Sequence, residues 1–103
     1  MTTGPEIVES VEEVAGLYFR SILIPEAGSW IPQHVHDHDH ATYCGQGSAA
    51  MFVDGEFSRN VLAGQAAEVR AGRQHAFRAL ESNTRLSCVH NVASALSIKE
   101  KGL

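Results

Sequence analysis

The sequence has only two cysteines, Cys44 and Cys88, in 103 residues. That is too few for a disulfide framework, and both read as buried reduced thiols. No stretch of apolar residues approaches the roughly 20 needed to cross a bilayer as a helix. The start, Met1-Thr2-Thr3-Gly4-Pro5-Glu6, lacks the basic and apolar segments of a signal peptide. These absences predict a cytoplasmic protein with no membrane partner. Lysine and arginine total eight against twelve acids, a formal net charge of -4, and they form no cluster. This argues against nucleic-acid binding through a basic patch. Neither internal repeats nor low-complexity segments are present. Hydrophobic residues make up 44% and charged residues 19%, a composition that supports one core in one domain, 1–103.

What is present reads as β-structure. Leu17 to Ile24 is aromatic and β-branched and stops at Pro25, and Glu26-Ala27-Gly28-Ser29 forms a turn. Trp30 to His36 resumes as a strand, and Pro32 implies that it lies at a sheet edge or starts late. Thr42 to Val53 forms a strand region interrupted by Gly45 and Gly47, and Asp54-Gly55 marks a hairpin into Phe57 to Leu62. Further strands are predicted at Ala66 to Val69, Gln74 to Leu80 and Arg85 to Val92. Pro5 to Ala15 is ambiguous: Ile7, Val8, Val11 and Val14 suit one helical face, and the same residues suit an edge strand. Ser97 to Leu103 reads as a polar, poorly ordered tail. Short strands broken by turns every 8 to 12 residues predict an all-β barrel or sandwich.

Four of the six histidines fall within seven residues, at His34, His36, His38 and His40. Alternate strand residues share a face. A fully extended segment of that length would span about 20 Å at roughly 3.3 Å per residue, whereas ligands of one zinc- or iron-type ion converge to about 2.0–2.1 Å from it. One ion can therefore take His34 and His36 from a strand, and His40 only if the chain bends back. Asp37 and Asp39 suit such a bend. A helical reading with His36 and His40 one turn apart would be zincin-like, but the glutamate expected after the first histidine is missing and the flanks read as strand. A solvated polar loop is the remaining alternative. Imidazoles gathered at one point have few uses besides a metal, which requires each of them neutral.

The spacing then resembles the cupin superfamily. Its first motif is matched by Gly28, five residues, His34-Val35-His36, three residues, His40, six residues, Gly47, with His40 where the family has glutamate. Its second is matched by Gly64, five residues, Arg70, Ala71, Gly72, two residues, His75, three residues, Ala79, with Arg70 and Ala79 in place of the family's proline and asparagine. The resemblance implies a double-stranded β-helix, a jelly-roll-like barrel, with motif 1 at about 28–47 and motif 2 at about 64–79. It implies one divalent transition metal ion (Mn, Fe, Ni, Cu or Zn) held by His34, His36, His40 and His75. Such a site resembles those of small monocupins that bind manganese or other transition metals, and its open coordination positions suit a metal-dependent dioxygenase or related oxidoreductase acting on a small organic substrate. The alternative is a non-catalytic metal- or small-ligand-binding module with a structural or accessory role. A homodimer is expected through edge strands.

Alternation from His40 carries Thr42, Cys44 and Gln46 inward and turns Tyr43 out. Phe77 shares the face of His75, and His90 shares a mostly apolar face with Leu86, Cys88 and Val92. The candidate pocket residues are therefore His90, Cys44, Gln46, Thr42 and Phe77. Nothing near Cys44 in sequence would activate it as a nucleophile. His38 reads as a bend residue beside the ligands or facing solvent, and Arg70 as a surface residue.

Overall fold

The structure is a computed structural model that describes residues 8–34 and 38–92. Among these residues nine strands form two antiparallel sheets. In chain order they are β1 (Val8–Val14), β2 (Leu17–Ile24), β3 (Trp30–His34), β4 (His40–Gln46), β5 (Ser48–Val53), β6 (Glu56–Leu62), β7 (Ala66–Val69), β8 (His75–Ala79) and β9 (Thr84–Asn91). One sheet has the order β1-β2-β9-β4-β7 and the other β3-β8-β5-β6. Non-sequential neighbours such as β2-β9 and β3-β8 mean that the chain winds back and forth between the two layers.

Alternation decides which side chains meet between the layers. The first sheet contributes Ile22, Ile24, Cys44, Ala67, Val69 and Leu86, and the second contributes Ile31, Ala49, Met51, Val61, Phe77 and Ala79. Thr42 and Cys44 are buried and Tyr43 between them is exposed, as a period of two requires. The Asp54-Gly55 turn has φ of 50° and 83°, the left-handed pair that a two-residue hairpin needs to match strand twist.

The structure resolves what the sequence left open. The ambiguous N-terminal segment is a strand: β1 pairs along its whole length with β2, from Val8 opposite Leu23 to Val14 opposite Leu17. Its apolar Val11 and Val14 remain exposed, so they form no buried helical face. The strand region Thr42 to Val53, read as interrupted by Gly45 and Gly47, breaks at Gly47 into two strands in different sheets. At Gly47 the chain crosses from one sheet to the other. φ there is +76°, and a Cβ would stand 2.5 Å from Thr84 Oγ1 and 3.0 Å from Thr84 Cα. Only glycine fits both that backbone and that space. The strand read as Trp30 to His36 is described to His34, and its pairing with β8 shifts register between Ile31 and His34. That irregularity brackets Pro32, which has no N–H to donate, and β3 is an edge strand as the proline predicted. The tail at Ser97 to Leu103 lies outside the described residues. Among the described residues no helix is long and apolar enough to cross a membrane.

Candidate metal centre

The two motif segments meet across the barrel. His40 opens β4 in one sheet and His75 opens β8 in the other, and both are buried. Their ring centroids lie 5.5 Å apart at an interplanar angle of 63°. Both ring nitrogens of His40 and Nε2 of His75 are withdrawn from solvent. His34 stands opposite His75 in the backbone register of β3 and β8. The side chain of His34 and all of His36 lie outside the described residues.

Hydrogen bonds hold this end of the barrel in place. Asp39 Oδ1 accepts from the Ala71 N–H at 2.7 Å, tying the approach to β4 to the β7–β8 turn. Asp54 clamps the same turn from the other side: Oδ1 accepts from the Gln74 N–H at 3.0 Å and Oδ2 from Arg73 Nε. The Arg73 guanidinium, helped by the Gln74 N–H, keeps the Asp54 carboxyl below the usual carboxylate range. His75 Nδ1 faces the Arg73 carbonyl oxygen at 3.5 Å. A proton on Nδ1 would point there, with Nε2 on the interior side of the ring.

The residues present fit a metal ion. With bonds of about 2.0–2.1 Å, two imidazoles on one ion have centroids roughly 5–6 Å apart, which matches His40 and His75. Neutral imidazole nitrogens suit first-row transition metals better than magnesium or calcium. Among the described residues no group of three or more His, Cys, Asp or Glu side chains is set to hold an ion, and two of the four expected ligands have described side chains.

Beside His40 a cavity of about 240 Å³ is lined by Tyr18, Arg20, His38, His40, Cys88 and His90. Its rings form a file. Tyr18 stacks on His90 at 4.6 Å, His90 meets His38 edge-on at 4.2 Å, and His38 lies 6.1 Å from His40. At the far end His75 stands 6.0 Å from Phe77. Arg20 donates to Glu9 on β1, which raises its pKa further and keeps it charged. Burial pushes the Cys88 thiol up, partly offset by its contact with the Thr42 hydroxyl at 3.7 Å and by the charge on Arg20.

Of the five candidate pocket residues, His90 lines this cavity. Thr42, Cys44 and Phe77 face inward but lie in the packed interior, with exposures of 0%, 0% and 2%. Burial also raises the Cys44 thiol, which donates to the Gln46 carbonyl. Gln46 is a correction. It is exposed, and its Nε2 donates to the Asn83 carbonyl at 2.8 Å. The β4–β9 register shifts between Cys44 and Gln46, so alternation counted from His40 fails at the last residue. His38, read as a bend residue beside the ligands or facing solvent, is half-buried and lines the cavity. The sequence reading missed Tyr18 and Arg20. Counting back by twos from buried Ile24 and Ile22 along β2 would have placed both on the inner face.

No family model matches the chain, and no curated protein matches its sequence. Solved structures do. KdgF from Halomonas sp. is 22% identical with a TM-score of 0.72, covering 86% of this chain and 81% of that one. The cupin domain of Cnp3 from Schizosaccharomyces pombe is 16% identical with a TM-score of 0.73, covering 100% of this chain and 76% of that one. An RmlC-like cupin with a double-stranded β-helix from Methanocaldococcus jannaschii is 17% identical with a TM-score of 0.65, covering 82% and 80%. The chain has the cupin fold. The cupin barrel accounts for the meeting of His40 and His75, because its two motif strands lie in facing sheets. At these identities the likeness fixes the architecture and leaves the chemistry to the site.

Proposed function

We propose that this cupin holds one divalent transition metal ion with His34, His36, His40 and His75 and binds a small organic molecule beside it. The observation that carries the reading is the approach of His40 and His75, from two separate motifs, to a single buried point. Asp39 and Asp54 brace the turn that leads into His75, so the ligand frame is set by the backbone. When bound, the ion supplies Lewis acidity and, if redox-active, an electron-transfer centre. The protein's part is to exclude water around the ion and to present Tyr18, His38 and His90 along one wall. A dioxygenase or related oxidoreductase acting on a small substrate fits this arrangement.

One observation favours the second reading, a non-catalytic metal- or ligand-binding module. Among the described residues that line the cavity there is no carboxylate, and the one thiol is held protonated by burial. Elemental analysis of protein purified without a histidine tag, followed by oxygen-uptake assays, separates the readings. Near-stoichiometric iron or manganese with oxygen uptake on a small substrate supports the oxidoreductase, and zinc without turnover supports the binding module. A His34→Ala/His36→Ala/His75→Ala variant that keeps a full equivalent of metal would overturn the centre itself. A homodimer in the cytoplasm remains part of the proposal, with the exposed β1 edge as the pairing surface and sedimentation velocity as its check.

A further inference from the structure

A second cavity, of about 190 Å³, opens beside His75. Met51, Val53 and Val69 make its apolar part. Arg70 and Arg73, from the turn before β8, reach it together with Ser58 and Glu68. The lining brings two guanidinium groups together, Arg70 beside Glu68 and Arg73 backed by Asp54 from outside the cavity. We propose that the cavity binds a small organic acid, with its carboxylate on Arg70 and Arg73 and its apolar body on Met51, Val53 and Val69.

The two arginines are differently prepared. Arg73 is held from behind by Asp54, which takes its Nε–H. A guanidinium has five N–H donors in a fixed fork, so both Nη groups remain for a ligand, already oriented. Arg70 stands 3.7 Å from Glu68 in a loose pair whose side chains are 70% and 61% exposed. Such pairs contribute little, and a ligand carboxylate can take over the arginine at small cost. Planar carboxylates match this fork in two parallel hydrogen bonds. The volume lies below the roughly 300–1,000 Å³ of drug-sized pockets, which limits the body to a short chain or one ring. Because His75 also lines the cavity, the acid would lie next to the metal centre. The proposal deepens the metal-site reading and rests on it for that placement, while the arginine contacts stand by themselves.

The test is calorimetric titration of benzoate, its neutral isostere benzamide, and inorganic phosphate. It uses the full chain as purified and again after chelation. Benzoate is expected to bind at least about tenfold more tightly than benzamide, with Arg70→Gln and Arg73→Gln each weakening benzoate by about tenfold and leaving benzamide unchanged. Arg70→Lys should recover part of the loss, and Arg59→Gln, on β6, should change nothing. Arg70→Gln is the deciding variant, because Arg73→Gln could also loosen the Asp54 clamp. Equal affinity for benzoate and benzamide would overturn the proposal. So would benzoate binding that vanishes on chelation and ignores Arg70→Gln, which would put the carboxylate on the ion. Phosphate binding tighter than benzoate with the same arginine dependence would overturn the choice of an organic acid. If the purified protein holds no metal but the arginine dependence persists, the metal reading fails and this one stands.

Discussion

Four strands run from one kind of barrel end to another. β4 leads from His40 to Cys44 and β8 from His75 to Ala79, while Tyr18 and Ile24 lie near opposite ends of β2 and His90 and Thr84 near opposite ends of β9. At the Cys44 end the interior is sealed. Ile24, Cys44, Ala79 and Leu86 are at most 1% exposed, and the buried Thr84 hydroxyl donates within this end, to the Ser48 and Glu81 carbonyls at 3.2 and 2.8 Å. At the His40 end the same strands present imidazoles, a tyrosine and an arginine around open space. Apolar burial stabilises one end, while the other gives up part of that stabilisation to polar and aromatic side chains around a cavity. A bound ion would restore some of it, since ligands of the folded state stabilise by mass action.

The largest effect should come from breaking the sealed end. Gly47→Val puts a branched side chain at positive φ and into Thr84. It should destabilise the fold by at least about 3 kcal/mol, read by denaturant melts. If the protein still folds, its metal content per folded molecule should be unchanged, which separates the two ends.

Metal removal sharpens the comparison from the other side. At a free-metal concentration of about 100 times Kd the ion should add about 2.7 kcal/mol, or roughly 12 °C of melting temperature in a chain of this size. Ligation requires neutral imidazole, with an ordinary pKa of about 6.5, so protons compete with the ion as pH falls. Holo and apo melting curves should therefore differ at pH 7.5 and converge near about pH 5. Coincident curves at pH 7.5, with metal confirmed in one sample, would show that the ion does not brace the His40 end. His40→Ala should weaken metal binding more than His38→Ala, since His40 is the buried ring facing His75.

A smaller effect concerns the thiols. Burial raises both, so each stays protonated through neutral pH. The sign is that of an acid held neutral in the fold: the unfolded chain ionises first, and stability falls as pH rises past the ordinary thiol pKa. Alkylation by iodoacetamide at pH 7.5 should be slow at Cys88 and slower at Cys44, whose side chain is fully enclosed. Fast labelling of Cys44 in mass spectra would mean that the sealed end opens.

The smallest effect is expected at Asp54. Its carboxyl is depressed by Arg73, so its contribution is present above the usual carboxylate pKa and is lost as pH falls through the lower value in the fold. Asp54→Asn should lower the melting temperature slightly at pH 7, and the gap to the parent should close below about pH 4. The pair is solvent-exposed, and salt should shrink the gap as well.

Local patterns were enough for much of this. The strand at Leu17 to Ile24, the Asp54-Gly55 hairpin, the inward set Thr42 and Cys44, and the spacing of His34, His36, His40 and His75 all follow from period-two alternation, turn chemistry and motif intervals. These are short-range properties that neighbouring residues impose on each other. What stayed hidden depends on contacts between residues far apart in the chain. The crossing at Gly47 is dictated by Thr84, 37 positions away, and the outward turn of Gln46 by a shift in pairing with β9. Tyr18 and Arg20 join His38 and His90 only because β2 pairs with β9 and β9 with β4. Arg70, unremarkable as a surface residue, gains meaning from standing beside Arg73 over Met51, Val53 and His75. The sequence by itself determined which residues are able to ligate and which way each strand alternates. Only the tertiary structure decided which of them share a cavity, because strand pairing between distant segments is set by the packing of both sheets at once.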